Sequence, residues 1–317
     1  MKVFLLVFMF SININATDLI TLHVSKNHIF LTFIESIAGT SYVSSVPKDI
    51  YLSKYKNDIQ NFTNLHKEIS KSTILKYDKT KNLLRALYIE SLKNNTYKEF
   101  SNKIKTFEVG VGKTKLRKYF KYLDKLYPRF EKLIWEKTSK GLIYRKNKLS
   151  KLMKQKNFDN IVRKILHFYG VKEKDIGTIN VAFYPISYGR NVNAYSMGNI
   201  ESIGIFVGRS QNLIWTMSAT ILHEIAHTIY AKSNFVQKNF LTIKDKTRKK
   251  TINEVLATAI GAGWGYNSLI NKYQTKAWYA NEKYDKYGKK LYPKIKQYIN
   301  NGRVIDKELA TYIEGLL

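Results

Sequence analysis

The sequence predicts an α+β fold that is predominantly helical, with a small antiparallel sheet set beside one helix of its C-terminal half. Three observations carry this expectation. Long stretches free of Gly and Pro place apolar residues three and four apart, as in NLLRALYIESL (82–92) and LRKYFKYLDKLY (116–127), which is the period of an amphipathic helix. Two short runs, INVAFYP (179–185) and SIGIFVG (202–208), are instead rich in β-branched and aromatic residues, the composition of strands. Between Ile214 and Ile229 no Gly or Pro interrupts a stripe of Ile214, Met217, Ile221, Ile225 and Ile229, the core face of a third kind of segment, a helix buried along one side.

Taken in chain order, the first sixteen residues hold one lysine, an apolar run from Val3 to Phe10, a polar stretch and Ala16 at a cleavage point. This resembles a secretory signal peptide, so residues 1–16 are expected to be removed and the chain exported, to a periplasm or beyond. The run falls short of the roughly twenty apolar residues that span a bilayer. No later segment is longer, so no transmembrane span is expected after cleavage. Residues 17–45 are mixed, with IFLTFI as the clearest apolar run. From 48 to 155 the chain is lysine-rich with helical spacing, interrupted by an expected break near 138–148. The predicted organisation is thus a signal peptide (1–16), a helical lysine-rich N-terminal region (17–155) and a second domain (156–317), with no internal repeat.

Residues 223–227 spell HEIAH. On a helix, positions four apart stack on one face, so His223 and His227 can present imidazole nitrogens to one metal ion with Glu224 beside them as a general base. Both histidines lie two positions on from Ile221 and Ile225, about 200° around the axis from the core stripe. A catalytic zinc site needs a third protein ligand and an open position. Two acids follow at usable distance, Glu254 in NEVLATA and Asp245 in LTIKDKTRKK. Lysines 244, 246, 249 and 250 and Arg248 crowd Asp245, which favours a solvated loop there and Glu254 as the ligand.

With His223, Glu224, His227, Asn253, Glu254 and Ala257 in place, the chain resembles the gluzincin metallopeptidases of the thermolysin-like clan, in which a glutamate of an NExxA string completes the HExxH site. It departs from them at Thr258, where many members carry an aspartate that orients a zinc-bound histidine. The metzincin pattern HExxHxxGxxH fails at Tyr230 and Ser233. The resemblance implies a zincin-like domain holding one catalytic Zn2+ on His223, His227 and Glu254, with Glu224 activating water against peptide bonds of a peptide or protein substrate. It also implies a sheet edge that pairs with substrate backbone, for which Asn193, Ala194 and Tyr195 match the Asn-Ala-aromatic string. An oxyanion donor, usually Tyr, His or Arg, is expected, and Tyr266 and Tyr273 follow soonest after Glu254.

Cysteine is absent and the formal net charge is +30. Disulfides, thiol nucleophiles and thiolate ligands are thereby excluded. The abundance of Lys, Asn, Ile and Tyr suggests coding bias, yet bias leaves the scarcity of acids unexplained, and an anionic polymer or membrane surface is a reasonable partner. Nucleic acid is disfavoured as the main partner because the basic residues are dispersed. GVGKT (110–114) has Phe107 where a phosphate-binding loop needs Gly, and reads as a turn before a helix. The alternatives to a peptidase are a non-catalytic binding protein that keeps the zincin fold and a basic polymer-binding protein in which HEIAH is coincidental.

Overall fold

The computed structural model describes residues 14–15, 18–39, 56–75, 77, 80, 82–186, 192–207, 213–271, 273 and 277–317. Strands β1 (Ile14–Asn15), β2 (Ile20–His23), β3 (Ile179–Ile186), β4 (Val192–Met197) and β5 (Ile200–Phe206) form one sheet in the order β1-β2-β3-β5-β4. The antiparallel sheet expected from sequence is mixed: β2 with β3 and β3 with β5 run parallel, and only the two outer pairs are antiparallel. The cause is β4. It forms within the polar stretch between the two predicted strands and returns into β5 through a two-residue loop, where Gly198 adopts φ 72°. That positive φ suits a tight hairpin, and the reversal leaves β5 pointing the same way as β3.

Alternate residues of these strands face two helical layers. On one side, Ser196 and Glu201 reach Thr228 of the helix carrying HEIAH. On the other, Ser202 bonds His28 and Tyr195 bonds Tyr88. IFLTFI lies within α1 (Lys26–Ala38), which is buried from Asn27 to Ala38, capped by the Ser25 side chain and ended by Gly39 at φ 64°. Buried on every side, α1 is a core helix, which explains why its sequence carries no clear stripe.

Around it pack α2 (Lys56–Ser70), α3 (Leu83–Lys93) and α4 (Tyr97–Lys105), the last opened by a reciprocal Thr96–Glu99 cap. GVGKT is a turn, with Gly112 capping α5 (Lys113–Phe130). The break expected near 138–148 does not occur, because a π-helical turn at Glu131–Trp135 leads directly into α6 (Glu136–Gln155). Gly141 sits there for space: a Cβ would lie 2.1 Å from Val207 Cγ1. The sheet itself takes β2 from before residue 155 and β3 to β5 from after it.

The chain continues through α7 (Phe158–Tyr169), the short α8 (Glu173–Ile176), α9 (Leu213–Tyr230), α10 (Asn234–Asn239) and α11 (Lys246–Ala257). A π-helical segment, Thr258–Gly265, follows, then α12 (Tyr266–Ile270), α13 (Glu282–Asn300) and α14 (Lys307–Leu316). Among the described residues no helix is long and apolar enough to cross a membrane. The run Val3–Phe10 and Ala16, read as signal-peptide features, lie outside the described residues.

Candidate metal centre

The predicted stripe of α9 is its packing face, with Met217, Ile221, Ile225 and Ile229 all buried. His223 and His227 project one turn apart from the other side. Their Nε2 atoms are 3.0 Å apart, with the rings nearly perpendicular. The third carboxylate arrives from α11. Asp245 is the N-cap of that helix, accepting from the backbone N–H groups of Thr247 and Arg248 at 2.8 and 3.1 Å. Its carboxylate is therefore committed to the helix terminus. Glu254 sits two turns further on, and its Oε2 lies 3.6 Å from both imidazole Nε2 atoms.

Two helices bring these groups together because nothing separates their backbones. At Gly261, in the π-helical segment continuing α11, a Cβ would lie 2.4 Å from Leu222 O and His223 N. Only glycine permits that approach. Within this frame His227 Nδ1 bonds Asn253 Oδ1 at 2.9 Å, and because the amide oxygen accepts, Nδ1 keeps its proton in that bond and Nε2 is the nitrogen turned to His223 and Glu254, free to ligate an ion once its own proton is displaced. Thr258 Oγ1 and His223 Nδ1 are buried without hydrogen-bond partners. Thr258 thus does not supply the orienting bond that an aspartate gives in the gluzincins, and Asn253 is the residue that orients His227 here.

The three atoms suit a small cation. A tetrahedral ion with bonds of about 2.0–2.1 Å has ligand-to-ligand edges of roughly 3.3 Å, and the observed edges of 3.0, 3.6 and 3.6 Å bracket that value. Glu254 Oε2 is buried and makes no hydrogen bond, an orphaned acceptor that a cation would satisfy. A buried His-His-Glu group that could hold a metal ion is therefore present.

Electrostatics follow from the same packing. Burial works against a charge on His227, but the carboxylate of Glu254, with Glu224 and Asn253 assisting, outweighs it and raises the imidazole to about 9. Burial likewise opposes ionisation of Glu254, and the two imidazoles reverse this, holding it well below the usual carboxylate range. Glu224, adjacent to His223 and nearly buried, acts electrostatically on His227 and on Glu201. Glu201 of β5 is wholly buried, and desolvation reinforced by Glu224 raises its carboxyl to about 8. Its Oε1 lies 2.5 Å from Thr228 Oγ1, which also reaches Ser196 Oγ at 2.8 Å and the Gly198 carbonyl at 2.9 Å. One hydroxyl thereby ties the helix of the histidines to the β4–β5 hairpin.

Tyr279 is the residue the sequence did not single out. Its ring stacks on His223 at 5.0 Å. Burial raises its phenol, and the negative charge of the Glu254 carboxylate raises it further, so it stays protonated. Of the tyrosines named from proximity in sequence, Tyr266 packs on Trp215 and Tyr273 on Trp278 and Tyr292. Tyr279 lay among many tyrosines after Glu254, and only the ring contact with His223 distinguishes it. The Asn193–Tyr195 string does form the outer strand, β4. The Asn193 backbone pairs with Gly204 and that of Ala194 with Ile203. The side chain of Asn193 lies outside the described residues, while Tyr195 faces away from α9 and donates to Tyr88 Oη at 2.8 Å. Compared with protein-family models, curated proteins and solved structures, the chain gives no match.

Proposed function

We propose that this chain is a zinc-dependent metallopeptidase of zincin-like architecture, acting after export on peptide or protein substrates. The observation that carries the reading is the convergence of His223, His227 and Glu254 within 3.6 Å of one another, with Glu224 on the same helix. A zinc ion held by those three residues would acidify water and polarise a carbonyl. Glu224 accepts the proton of the attacking water and delivers it to the leaving amine. Tyr279, a protonated phenol beside His223, donates a hydrogen bond to the carbonyl oxygen as negative charge develops there. Among the described residues β4 ends the sheet order, and an extended substrate would add to the sheet at that end, which gives affinity without demanding one side chain. The polar linkage of Thr228 to Glu201 and Ser196 keeps that edge in fixed relation to Glu224.

The test combines metal analysis with hydrolysis of an unfolded protein. The wild-type chain should carry one zinc per molecule and cleave the substrate in a chelator-sensitive way. Glu224→Gln should keep the zinc and lose roughly 10²–10⁴-fold in turnover. Absence of stoichiometric zinc, or undiminished turnover by the variant, would remove the proposal.

A further inference from the structure

We infer that the continuous helix formed by α5, the π turn and α6 is a docking rail for a linear polyanion. This goes beyond the peptidase reading and does not depend on it. The three pieces join without a break from Lys113 to Gln155, a rod of about 64 Å at 1.5 Å per residue. Its 43 residues contain fifteen Lys or Arg and three Asp or Glu, so it carries +12 of the chain's +30.

Most of the charge is arranged on one side, the exceptions being Arg145 and Lys146, which are buried. The buried row runs from Leu116 to Met153, ten turns in 37 residues, where 3.6 residues per turn would take about 36. The π turn absorbs the extra residue, so the buried and exposed rows hold their direction through the whole rod. Along the exposed row nearly every turn presents a lysine, one per 5.4 Å of rise. Lys118, Lys121, Lys132, Lys140, Lys151 and Lys154 are exposed and make no ion pair among the described residues. Two of the three acids are already engaged, Asp124 by Tyr97 and Lys105 and Glu131 by Lys26. Tyr144 is the one large apolar side chain exposed along the rod among the described residues, and Lys148 Nζ lies 4.7 Å from its ring centre.

These features select the partner's chemistry. A single line of charges running the length of the rod matches a linear chain of phosphates or carboxylates better than a plane of lipid headgroups, and no row of apolar side chains is offered for insertion into a bilayer. Lysines are point charges rather than bidentate forks, so the binding is to charge density and not to sequence.

The experiment uses the full chain and four-fold charge reversals. One variant carries Lys121→Glu, Lys132→Glu, Lys140→Glu and Lys151→Glu on the rail. A control carries Lys172→Glu, Lys238→Glu, Lys286→Glu and Lys296→Glu at exposed sites elsewhere, with the same change in net charge. Binding to labelled inorganic polyphosphate and to poly-glutamate is followed by anisotropy from 50 to 200 mM salt, and binding to phosphatidylserine vesicles by sedimentation. Circular dichroism verifies folding, and Lys→Gln at the same four rail positions should weaken binding to an intermediate degree. The rail variant should bind the preferred polymer at least 10-fold more weakly than the control, with its log K against log salt slope reduced by about 3. The choice of polymer distinguishes phosphate from carboxylate. Equal loss in both variants, binding to vesicles alone, or no binding by the wild type would overturn the inference.

Discussion

Replacing Glu201 with glutamine should make the metal-free protein more resistant to alkaline conditions. The wild-type carboxyl moves from 4.5 to about 8 on folding, so the native state holds a proton that the unfolded chain has released across that interval. For an acid whose pKa is raised by folding, the associated stability is fully present below the unfolded value and is lost as pH rises through the folded one. At 1.36 kcal/mol per unit, the loss reaches about 3 kcal/mol at pH 7 and about 5 kcal/mol above pH 8. Hydrogen bonding supports the protonated form, since Thr228 has one hydroxyl hydrogen, the Gly198 carbonyl can only accept, and a neutral Glu201 can donate the second bond. Glutamine keeps both a donor and an acceptor and has no proton to lose. Urea unfolding of both proteins in chelator between pH 4.5 and 9 should show the stability difference moving in favour of the variant by several kcal/mol as pH rises. A difference constant within about 0.5 kcal/mol would mean that folding does not shift Glu201, and the reasoning would fail.

Other outcomes follow from the centre itself. Glu254→Ala should abolish zinc retention in equilibrium dialysis, whereas Asp245→Ala should retain the metal and lose only about 1 kcal/mol of helix-cap stability. With His227 raised to about 9 in the metal-free chain, zinc binding at pH 7 must displace a proton from it. Calorimetry in buffers of different ionisation enthalpy should therefore report release of close to one proton per zinc, falling away as pH passes 9. Tyr279→Phe should lower kcat by roughly 10²-fold with KM nearly unchanged, and a raised KM at unchanged kcat would assign the phenol to substrate binding instead.

Local chemistry was legible where a residue's role depends on its near neighbours. The stripe of α9 and the i,i+4 histidines announced a two-sided helix, whereas Asp245, expected in a solvated loop, is the N-cap of α11. What escaped was set by distant partners. IFLTFI lacks periodicity because α1 is enclosed on all sides, and the composition of β4 carries no strand pattern because an edge strand needs only one partner, so that only the Asn193–Tyr195 resemblance pointed to it. The parallel β2–β3 pairing joins residues some 160 positions apart, Ile20 to Ile179, and no local pattern encodes it. Asn253 stood in the quoted string from the start, yet its bond to His227 depends on how α11 crosses α9.

Gly261 has a consequence for how the centre tolerates change over time. Where two helices are held apart by side chains, their spacing drifts as those side chains are exchanged or hop between rotamers. Here peptide units of one segment rest against peptide units of α9 at the level of His223, and a peptide unit has no rotamers and cannot be substituted. The span between the histidines and Glu254 is thus insulated from turnover in the surrounding core. Mutational drift in that core can alter the stability of the protein while leaving the dimensions of the His-His-Glu triangle unchanged.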